Sequence, residues 1–277
     1  MTQLKDTYDH LYLSPHFDDA ALSCGGQIFR HTAAGESVLV VTITAADPSP
    51  ELYSETVHSL HDRWANSLGG EPPADMVAQR RAEDEAAFAE LRADVLHLPF
   101  LDCIYRCSPE SDELLYPGPM DMFGARHPAD EVDATLAGAL AALPPAGRVY
   151  LPLGVGGHVD HAIVRGVGET TFDHVLYYED YPYTMTPGAL EAVLPAATRR
   201  DWAADFIWLT EAALAAKIEA VAAYRSQISS FFTGHDDLAA KLREEGQRLL
   251  DEARAEGATI PTWAIGAECL WRHKFHA

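Results

Sequence analysis

Two short clusters of histidine and aspartate stand out in this sequence. The first is His16-Phe-Asp18-Asp19, and the second is His158-Val-Asp160-His161. Each cluster directly follows an apolar segment that is typical of a buried β-strand. In an open α/β sheet, the loops at the carboxyl ends of the strands converge on the ligand-binding crevice. We therefore expect three imidazoles and three carboxylates to meet in one site.

These side chains have the chemistry of a catalytic metal site. Zinc favours histidine nitrogen and carboxylate oxygen, and a catalytic zinc keeps three protein ligands and one open position. Asp18 and Asp19 are adjacent and cannot easily both face one ion, so one can bind it while the other accepts a proton from water. His158 and His161 share a helix face at their spacing of three, so one can bind the metal while the other meets an oxyanion. This division predicts metal-assisted hydrolysis.

The two motifs, in this order, resemble those of the LmbE/PIG-L de-N-acetylases. The first motif of that family is usually HPDDE or HPDDA, and the second is HxDH. Cys24-Gly-Gly26 follows the first motif here and belongs to the same resemblance. Two weaker matches keep the order of the family: Arg80-x-x-Glu83-x-x-x-Ala87 and Lys217-x-x-Ala220-x-x-x-Tyr224-x-Ser226-Gln227. The resemblance spans roughly residues 10–230. It implies a Rossmann-like fold, a bound divalent metal and hydrolysis of an N-acyl group, typically acetyl on a glucosamine-containing substrate.

The resemblance also implies a role for each residue of the two motifs. Three residues match the metal ligands of the family: His16, Asp19 and His161. Asp18 matches the general base, and His158 matches the residue that stabilises or protonates the tetrahedral intermediate. Asp160 matches a carboxylate that orients a histidine and so fixes its tautomer.

Three positions depart from the family pattern. Phe17 replaces the usual proline, and Ala20 replaces an acid that often follows the two aspartates. Neither change removes a ligand or the base. Some relatives have a tyrosine two places before the first histidine of the second motif, and here that position is Gly156. A tyrosine contact to an oxyanion would therefore have to come from elsewhere in the chain.

Three further residues are candidates for substrate binding. Arg80 lies on a predicted helix, where it serves either the site or an ordinary surface ion pair with Glu83. Asp102 follows an apolar run and could reach the crevice as an acceptor for sugar hydroxyls. Tyr181 belongs to an aromatic and acidic run, 177–183, and such runs line sugar sites or pack on the core.

The elements between the motifs alternate in the manner of a parallel α/β fold. Strands are predicted at 11–13, 38–44, 95–98, 148–153, 174–178 and 263–272, and helices at 20–31, 77–92, 131–143, 161–171, 210–224 and 236–255. The segment 187–208 gives mixed signals. We predict one α/β domain over 1–277, a Rossmann-like three-layer fold with a mostly parallel sheet. Two long loops, 45–76 (with a helix at 55–68) and 103–128, are expected to carry function.

Composition excludes several classes of protein. The 277 residues include 20 Lys and Arg against 42 Asp and Glu, a net charge of -22 that disfavours nucleic acid as a partner. No apolar run is long enough to span a membrane, and the N-terminus lacks the pattern of an export signal, so a cytoplasmic location is expected. The four cysteines form no CxxC pair.

The predicted function is removal of an N-acetyl group from a small amino sugar or a glucosamine-containing glycoconjugate. Zinc is the expected metal, although ferrous iron could use the same ligands. Two alternatives stay open: an amidase that cleaves a larger thiol–pseudodisaccharide conjugate, and a metal-stabilised protein that binds a glycan without cleaving it. The sequence does not predict the oligomeric state.

Overall fold

A twisted β-sheet forms the centre of the computed structural model, which describes residues 4–49, 51, 53–70 and 75–274. The strands of the described residues are β1 (Tyr8–Ser14), β2 (Val38–Thr42), β3 (Asp94–His97), β4 (Cys107–Ser108), β5 (Ser111–Leu114), β6 (Ala146–Pro152), β7 (Val175–Tyr178), β8 (Trp202–Leu209) and β9 (Gly266–His273). Seven of them form the central sheet, in the order β3-β2-β1-β6-β7-β9-β8. The first five strands of this order are parallel, and β9 pairs antiparallel with both β7 and β8.

Helices connect the strands. Those of the described residues are α1 (Asp19–Ala33), α2 (Glu55–Ser67), α3 (Met76–Glu90), α4 (Asp133–Ala141), α5 (Val159–Thr171), α6 (Ala189–Val193), α7 (Ala196–Arg199), α8 (Glu211–Ala222), α9 (Ile228–Phe231) and α10 (His235–Ala255). The predicted helices 20–31, 77–92, 210–224 and 236–255 correspond to α1, α3, α8 and α10. Within the described ranges, no helix combines the length and apolar character needed to cross a bilayer.

The sheet separates two apolar cores. Successive side chains of a strand point to opposite faces, so Tyr12 and Val40 join α1, α3 and α8 in one core. Leu11 and Leu39 join α4 and α5 in the other core. Because both faces of β2 are covered, it is buried along its whole length and apolar from Val38 to Val41. This arrangement is the predicted three-layer fold.

The two predicted loops pack against each other beside the sheet. Within 45–76, α2 forms where a helix was predicted, although residues 50, 52 and 71–74 lie outside the described part. Within 103–128, a short 3-10 helix at Cys103–Tyr105 precedes the β4–β5 hairpin. Val57 and Trp64 of α2 share a third apolar cluster with Tyr105. The loops therefore form a small packed unit at one side of the crevice.

The segment 187–208, for which the sequence gives mixed signals, contains α6, α7 and most of β8. Strand β8 is the outer strand of the central sheet and is half-buried over nearly its whole length, so it lacks the alternation that marks a strand in sequence. The predicted strand 263–272 begins later, at Gly266, because residues 261–264 form a turn in which the Ala264 amide donates to the Pro261 carbonyl.

Candidate active site

The two motifs meet at the point where the sheet changes its direction of winding. From β1 the chain moves outward through β2 and β3, and it returns to β6 on the other side of β1. Loops that leave adjacent strands in opposite directions open a crevice at their carboxyl ends. The first motif joins β1 to α1, and the second joins β6 to α5. This topology is the reason that residues so far apart in sequence share one site.

The turn after β1 is held by short hydrogen bonds. The Ser14 hydroxyl donates to the His16 carbonyl at 2.6 Å and accepts from the Ala20 amide at 3.1 Å. The backbone amide of His16 donates to Asp19 Oδ2 at 2.7 Å. The carboxylate of Asp19 is therefore held against the backbone of His16.

One carboxylate oxygen faces two imidazoles. Asp19 Oδ2 lies 3.1 Å from His16 Nδ1 and 3.3 Å from His161 Nε2. A four-coordinate zinc with bonds of about 2.1 Å holds its ligand atoms roughly 3.4 Å apart. The three donor atoms thus have the spacing that one small divalent ion requires. A ring nitrogen of His158 lies within 4.8 Å of nitrogens of His16 and His161.

The hydrogen bond at Nδ1 of His161 determines which form its Nε2 can take. Its Nδ1 contacts Asp180 Oδ1 at 2.6 Å, and the other oxygen of Asp180 accepts from the Val155 amide at 2.8 Å. An Nδ1–H that donates to Asp180 leaves a lone pair on Nε2, which is buried and has no hydrogen-bond partner among the described residues. The Nε2 atom lies 3.3 Å from Asp19 Oδ2, so a proton or a metal ion has to lie between these two atoms. Burial alone would lower the pKa of His161, but Asp19 and Asp180 raise it to about 9.

His16 is held in the same manner. Its Nε2 lies 3.1 Å from Asp160 Oδ2, which leaves Nδ1 toward Asp19. Asp160 also accepts from Arg106 Nη1 at 2.5 Å and from the Cys103 amide at 3.0 Å. Burial would raise the pKa of Asp160, but the Arg106 guanidinium holds it well below its usual range. Asp160 therefore orients a histidine as an ionised group.

Asp18 stands apart from the imidazoles. Burial, and then the charge of the adjacent Asp19, raise the pKa of Asp18 to about 6, against the opposing effect of Arg80. Arg80 Nη2 lies 3.8 Å from Asp18 Oδ1. The arrangement provides an ionisable carboxyl beside a cluster of metal-type donors.

A family model supports this reading of the geometry. The model described as GlcNAc-PI de-N-acetylase, or PIG-L, matches residues 11–172, which include both motifs. The chain belongs to the PIG-L family.

Individual relatives are deacetylases. The chain is 32% identical over 189 residues to the 2'-N-acetylparomamine deacetylase of Streptomyces fradiae, an alignment that covers 65% of this chain and 60% of that enzyme. The enzyme of the same name from Niallia circulans is 27% identical over 194 residues, covering 65% of this chain and 69% of that one. The chain thus spans about three fifths of the length of the Streptomyces enzyme.

Solved structures of relatives confirm the predicted fold. The zinc-inhibited form of the teicoplanin deacetylase Orf2 is 26% identical, with a TM-score of 0.74 over 95% of this chain and 96% of that one. The A40926 pseudoaglycone deacetylase Dbv21 is 25% identical, with a TM-score of 0.71 over 98% of both chains. The resemblance predicted from the two motifs is also confirmed.

Phe17, at the usual proline position of the PIG-L motif, packs against Arg80. The guanidinium carbon of Arg80 lies 5.2 Å from the centroid of the Phe17 ring and 4.6 Å from that of Trp64. Arg80 is buried, and no hydrogen bond to it is found among the described residues. Two aromatic faces thus hold a guanidinium whose donors remain available next to Asp18.

Of the other two candidates for substrate binding, Asp102 lies at the site and Tyr181 lies in the core. Asp102 lies at the site, with Oδ2 3.8 Å from His16 Nε2, while its Oδ1 accepts from the Ile104 amide at 3.2 Å. Tyr181 is 4% exposed and lies in the core formed with α1, α8 and α10, where its amide donates to Ser23 Oγ. Tyr181 is therefore not brought together with the histidines.

Several residues of the site were not identified from the sequence: Asp180, Arg106, Tyr183 and Phe123. Asp180 and Tyr183 belong to the run 177–183 that drew attention for its aromatic rings, and they follow β7, the next strand after β6 in the sheet. Their position just after the carboxyl end of a predicted strand was a feature of the sequence that could have identified them as site residues. Arg106 and Phe123 lie in the second long loop, whose contacts no local pattern reveals.

Proposed function

We propose that this chain is a metal-dependent amide hydrolase that removes an N-acetyl group from an amino sugar. The observation that supports it most is the spacing of three donor atoms: Asp19 Oδ2 lies 3.1 Å from His16 Nδ1 and 3.3 Å from His161 Nε2. One divalent ion would fit these three atoms in place of a proton on Nε2, and a further carboxyl, Asp18, stands next to the same group. Membership in the PIG-L family and the names of the relatives agree with this chemistry.

His16, Asp19 and His161 are the proposed metal ligands. Nitrogen and carboxylate oxygen donors suit zinc, and they also suit ferrous iron. When bound there, such an ion polarises an acyl oxygen and lowers the pKa of water. One relative was solved in a zinc-inhibited form, so the activating metal has to be measured separately from the metal that binds.

Asp18 is the proposed general base. It accepts a proton from the attacking water and returns it to the departing amine, which leaves acetate and a free amino sugar as the products. A pKa of about 6 suits this exchange because it lies close to neutral pH. Arg80, 3.8 Å away, favours the ionised form of the carboxyl.

His158 is the proposed stabiliser of the oxyanion. Its Nδ1 accepts from the Asp160 amide at 3.3 Å, so the hydrogen of the neutral ring resides on Nε2. Burial, together with the nearby His16, lowers the pKa of His158 to about 3. The contact at Nδ1 leaves Nε2 as the atom of His158 that can donate to an oxyanion, which supports the stabilising role.

The proposed substrate is an N-acetylated amino sugar within a larger glycoside. The relatives named above are deacetylases of 2'-N-acetylparomamine, teicoplanin and the A40926 pseudoaglycone, as their names state. The site offers sugar hydroxyls the guanidinium of Arg80, which makes no hydrogen bond among the described residues, and a carboxylate at Asp102. Both groups lie beside the catalytic cluster, where a pyranose attached to the reacting amide has to sit.

The test combines metal content with acetate release. Protein purified without chelator is assayed for zinc and iron, then supplied with 2'-N-acetylparomamine, a simple N-acetylglucosamine glycoside and a bulkier N-acyl conjugate. About one equivalent of metal with acetate release from an acetylated sugar is expected. Metal with cleavage of only the bulky conjugate would replace this proposal with an amidase. Metal without any cleavage would favour a binding protein, and no metal after reconstitution would refute the ligand assignment.

A further inference from the structure

Tyr183 lies against His161 of the second motif. It begins a 3-10 turn, Tyr183–Met185, just beyond the carboxyl end of β7. Its ring centroid is 5.7 Å from that of His161 at an interplanar angle of 87°. The ring also lies 6.1 Å from that of Phe123, which in turn lies 5.3 Å from that of His158. The tyrosine is therefore part of the wall around the candidate metal ligands.

Gly156 is the residue that makes room for this ring. A Cβ added at Gly156 would lie 2.5 Å from Tyr183 Cγ and 2.6 Å from Tyr183 Cδ1, which is closer than real Cβ contacts come. The φ of Gly156 is +90°, a conformation that other residues adopt only with strain. The ring of Tyr183 thus occupies space that any side chain at position 156 would take.

The neighbouring loop holds the wall in place. The Gly124 amide donates to the Gly157 carbonyl at 2.8 Å, and the Val159 amide donates to the Met122 carbonyl at 2.9 Å. These bonds fix Phe123 between the tyrosine and His158. The position of the Tyr183 ring is thereby set by packing on two sides before any substrate binds.

The hydroxyl of Tyr183 has no assigned partner. Among the described residues no hydrogen bond reaches it, and the ring is half-buried. A tyrosine hydroxyl is a hydrogen-bond donor at neutral pH. The phenol therefore offers a donor on a ring that packs against His161.

We propose that Tyr183 donates a hydrogen bond to the acyl oxygen of the substrate as that oxygen gains negative charge, and that Gly156 is required to admit its ring. This inference rests on the proposed deacetylase function. No proton is transferred, because the phenol and the developing oxyanion form a hydrogen bond only. Tyr183 and His158 then contact the same oxygen from two different loops.

The first test is Tyr183→Phe, which keeps the ring and removes the hydroxyl. With 2'-N-acetylparomamine as the probe, kcat is expected to fall about 100- to 1,000-fold, as it does when one oxyanion donor is lost. KM and metal content are expected to stay within about threefold. Tyr177→Phe is the matched control, because Tyr177 packs against Trp202 on β8, away from the motifs, and its kcat should match the wild type.

A binding measurement separates a catalytic contact from a structural one. A methylphosphonamidate of glucosamine mimics the tetrahedral intermediate, whereas glucosamine is only the amine product. Tyr183→Phe should weaken binding of the phosphonamidate about 100-fold or more and leave glucosamine binding unchanged. An equal loss for both ligands would show a merely structural role and overturn the proposal.

The role of Gly156 is tested by a double-mutant cycle. Gly156→Ala displaces the ring and should lower kcat about as far as Tyr183→Ala does. In the Tyr183→Ala background, Gly156→Ala should lower kcat less than about threefold further. Fully additive losses would overturn the claim that Gly156 acts through Tyr183. A wild type that releases no acetate from any probe refutes the proposed function itself, whereas an active wild type with an equally active Tyr183→Phe variant refutes this inference alone.

Discussion

Asp180→Asn should weaken metal binding without removing a metal ligand. Asp180 is buried and makes two contacts, one with His161 Nδ1 at 2.6 Å and one with the Val155 amide at 2.8 Å. Both groups are donors when His161 binds a cation through Nε2. An asparagine has one oxygen and one NH2 group, so it can accept from only one of them.

The effect of Asp180→Asn on metal binding depends on which of the two donors loses its acceptor. If the asparagine oxygen stays with the Val155 amide, its NH2 faces His161 Nδ1 and can donate to it. The hydrogen of the imidazole then moves to Nε2, which can no longer bind a metal. If the oxygen turns to His161, the NH2 faces the Val155 N–H, and two buried donors oppose each other, at a cost of about 1–3 kcal/mol.

We therefore expect a loss of metal affinity at the upper end of the range measured when hydrogen-bond partners of metal-bound histidines are mutated. Such mutations lower metal affinity about 10- to 100-fold, and we expect about 100-fold, or roughly 2.7 kcal/mol. The zinc dissociation constant is measured by competition with a chromophoric chelator at pH 7.5. Glu179→Gln is the matched control, because the neighbouring Glu179 accepts from Trp271 Nε1 instead. Wild-type affinity in Asp180→Asn would refute the assignment of His161 as a ligand through Nε2.

Three other substitutions give distinct expectations. Asp18→Asn should lower kcat at least 100-fold while metal content stays at the wild-type level, and normal turnover would remove Asp18 from its role. Glu179 has a pKa raised by burial to about 7 from 4.5, so its favourable contribution to folding is complete below pH 4.5 and is lost as the pH rises to 7. Glu179→Gln should thus stabilise the metal-free protein by up to roughly 3 kcal/mol at pH 8 and leave it unchanged near pH 4.5 in urea unfolding; a constant difference would contradict this. Glu268→Gln leaves the buried charge of Lys217, 2.8 Å away, without its partner and should cost about 3–5 kcal/mol, a loss that Lys217→Met in the same chain should partly restore.

The two motifs could be predicted because their signals are local. An apolar strand ends, a histidine and aspartates follow, and a helix begins, which places His16 and His158 at strand ends without any knowledge of tertiary contacts. Strand β2 was equally predictable, because burial on both faces leaves an unbroken apolar run from Val38 to Val41. The edge strand β8 could not be predicted, because its side chains are half-buried on both faces and show no alternation of apolar and polar residues.

The residues that support the ligands could not be predicted in the same way. Arg106 reaches Asp160 from the short segment before the β4–β5 hairpin, 54 residues away, and nothing in its neighbourhood indicates that contact. Tyr181 and Tyr183 are two residues apart in one aromatic run, yet one lies in the core and the other at the histidines. Only the path of the turn after β7 distinguishes them, and that path depends on the packing against Gly156.

The central position of β1 also determines when the site can first exist. His16 and Asp160 are 144 residues apart, and they become neighbours only when β6 adds to the open edge of β1. During synthesis, β1, β2 and β3 are complete long before β6 emerges. In that interval β1, which is buried in the complete fold, has an unpaired edge. An unpaired strand edge of this kind promotes aggregation. Closing this edge is a long-range event of the kind that slows folding, so chains truncated before β6 should aggregate rather than retain half of a metal site.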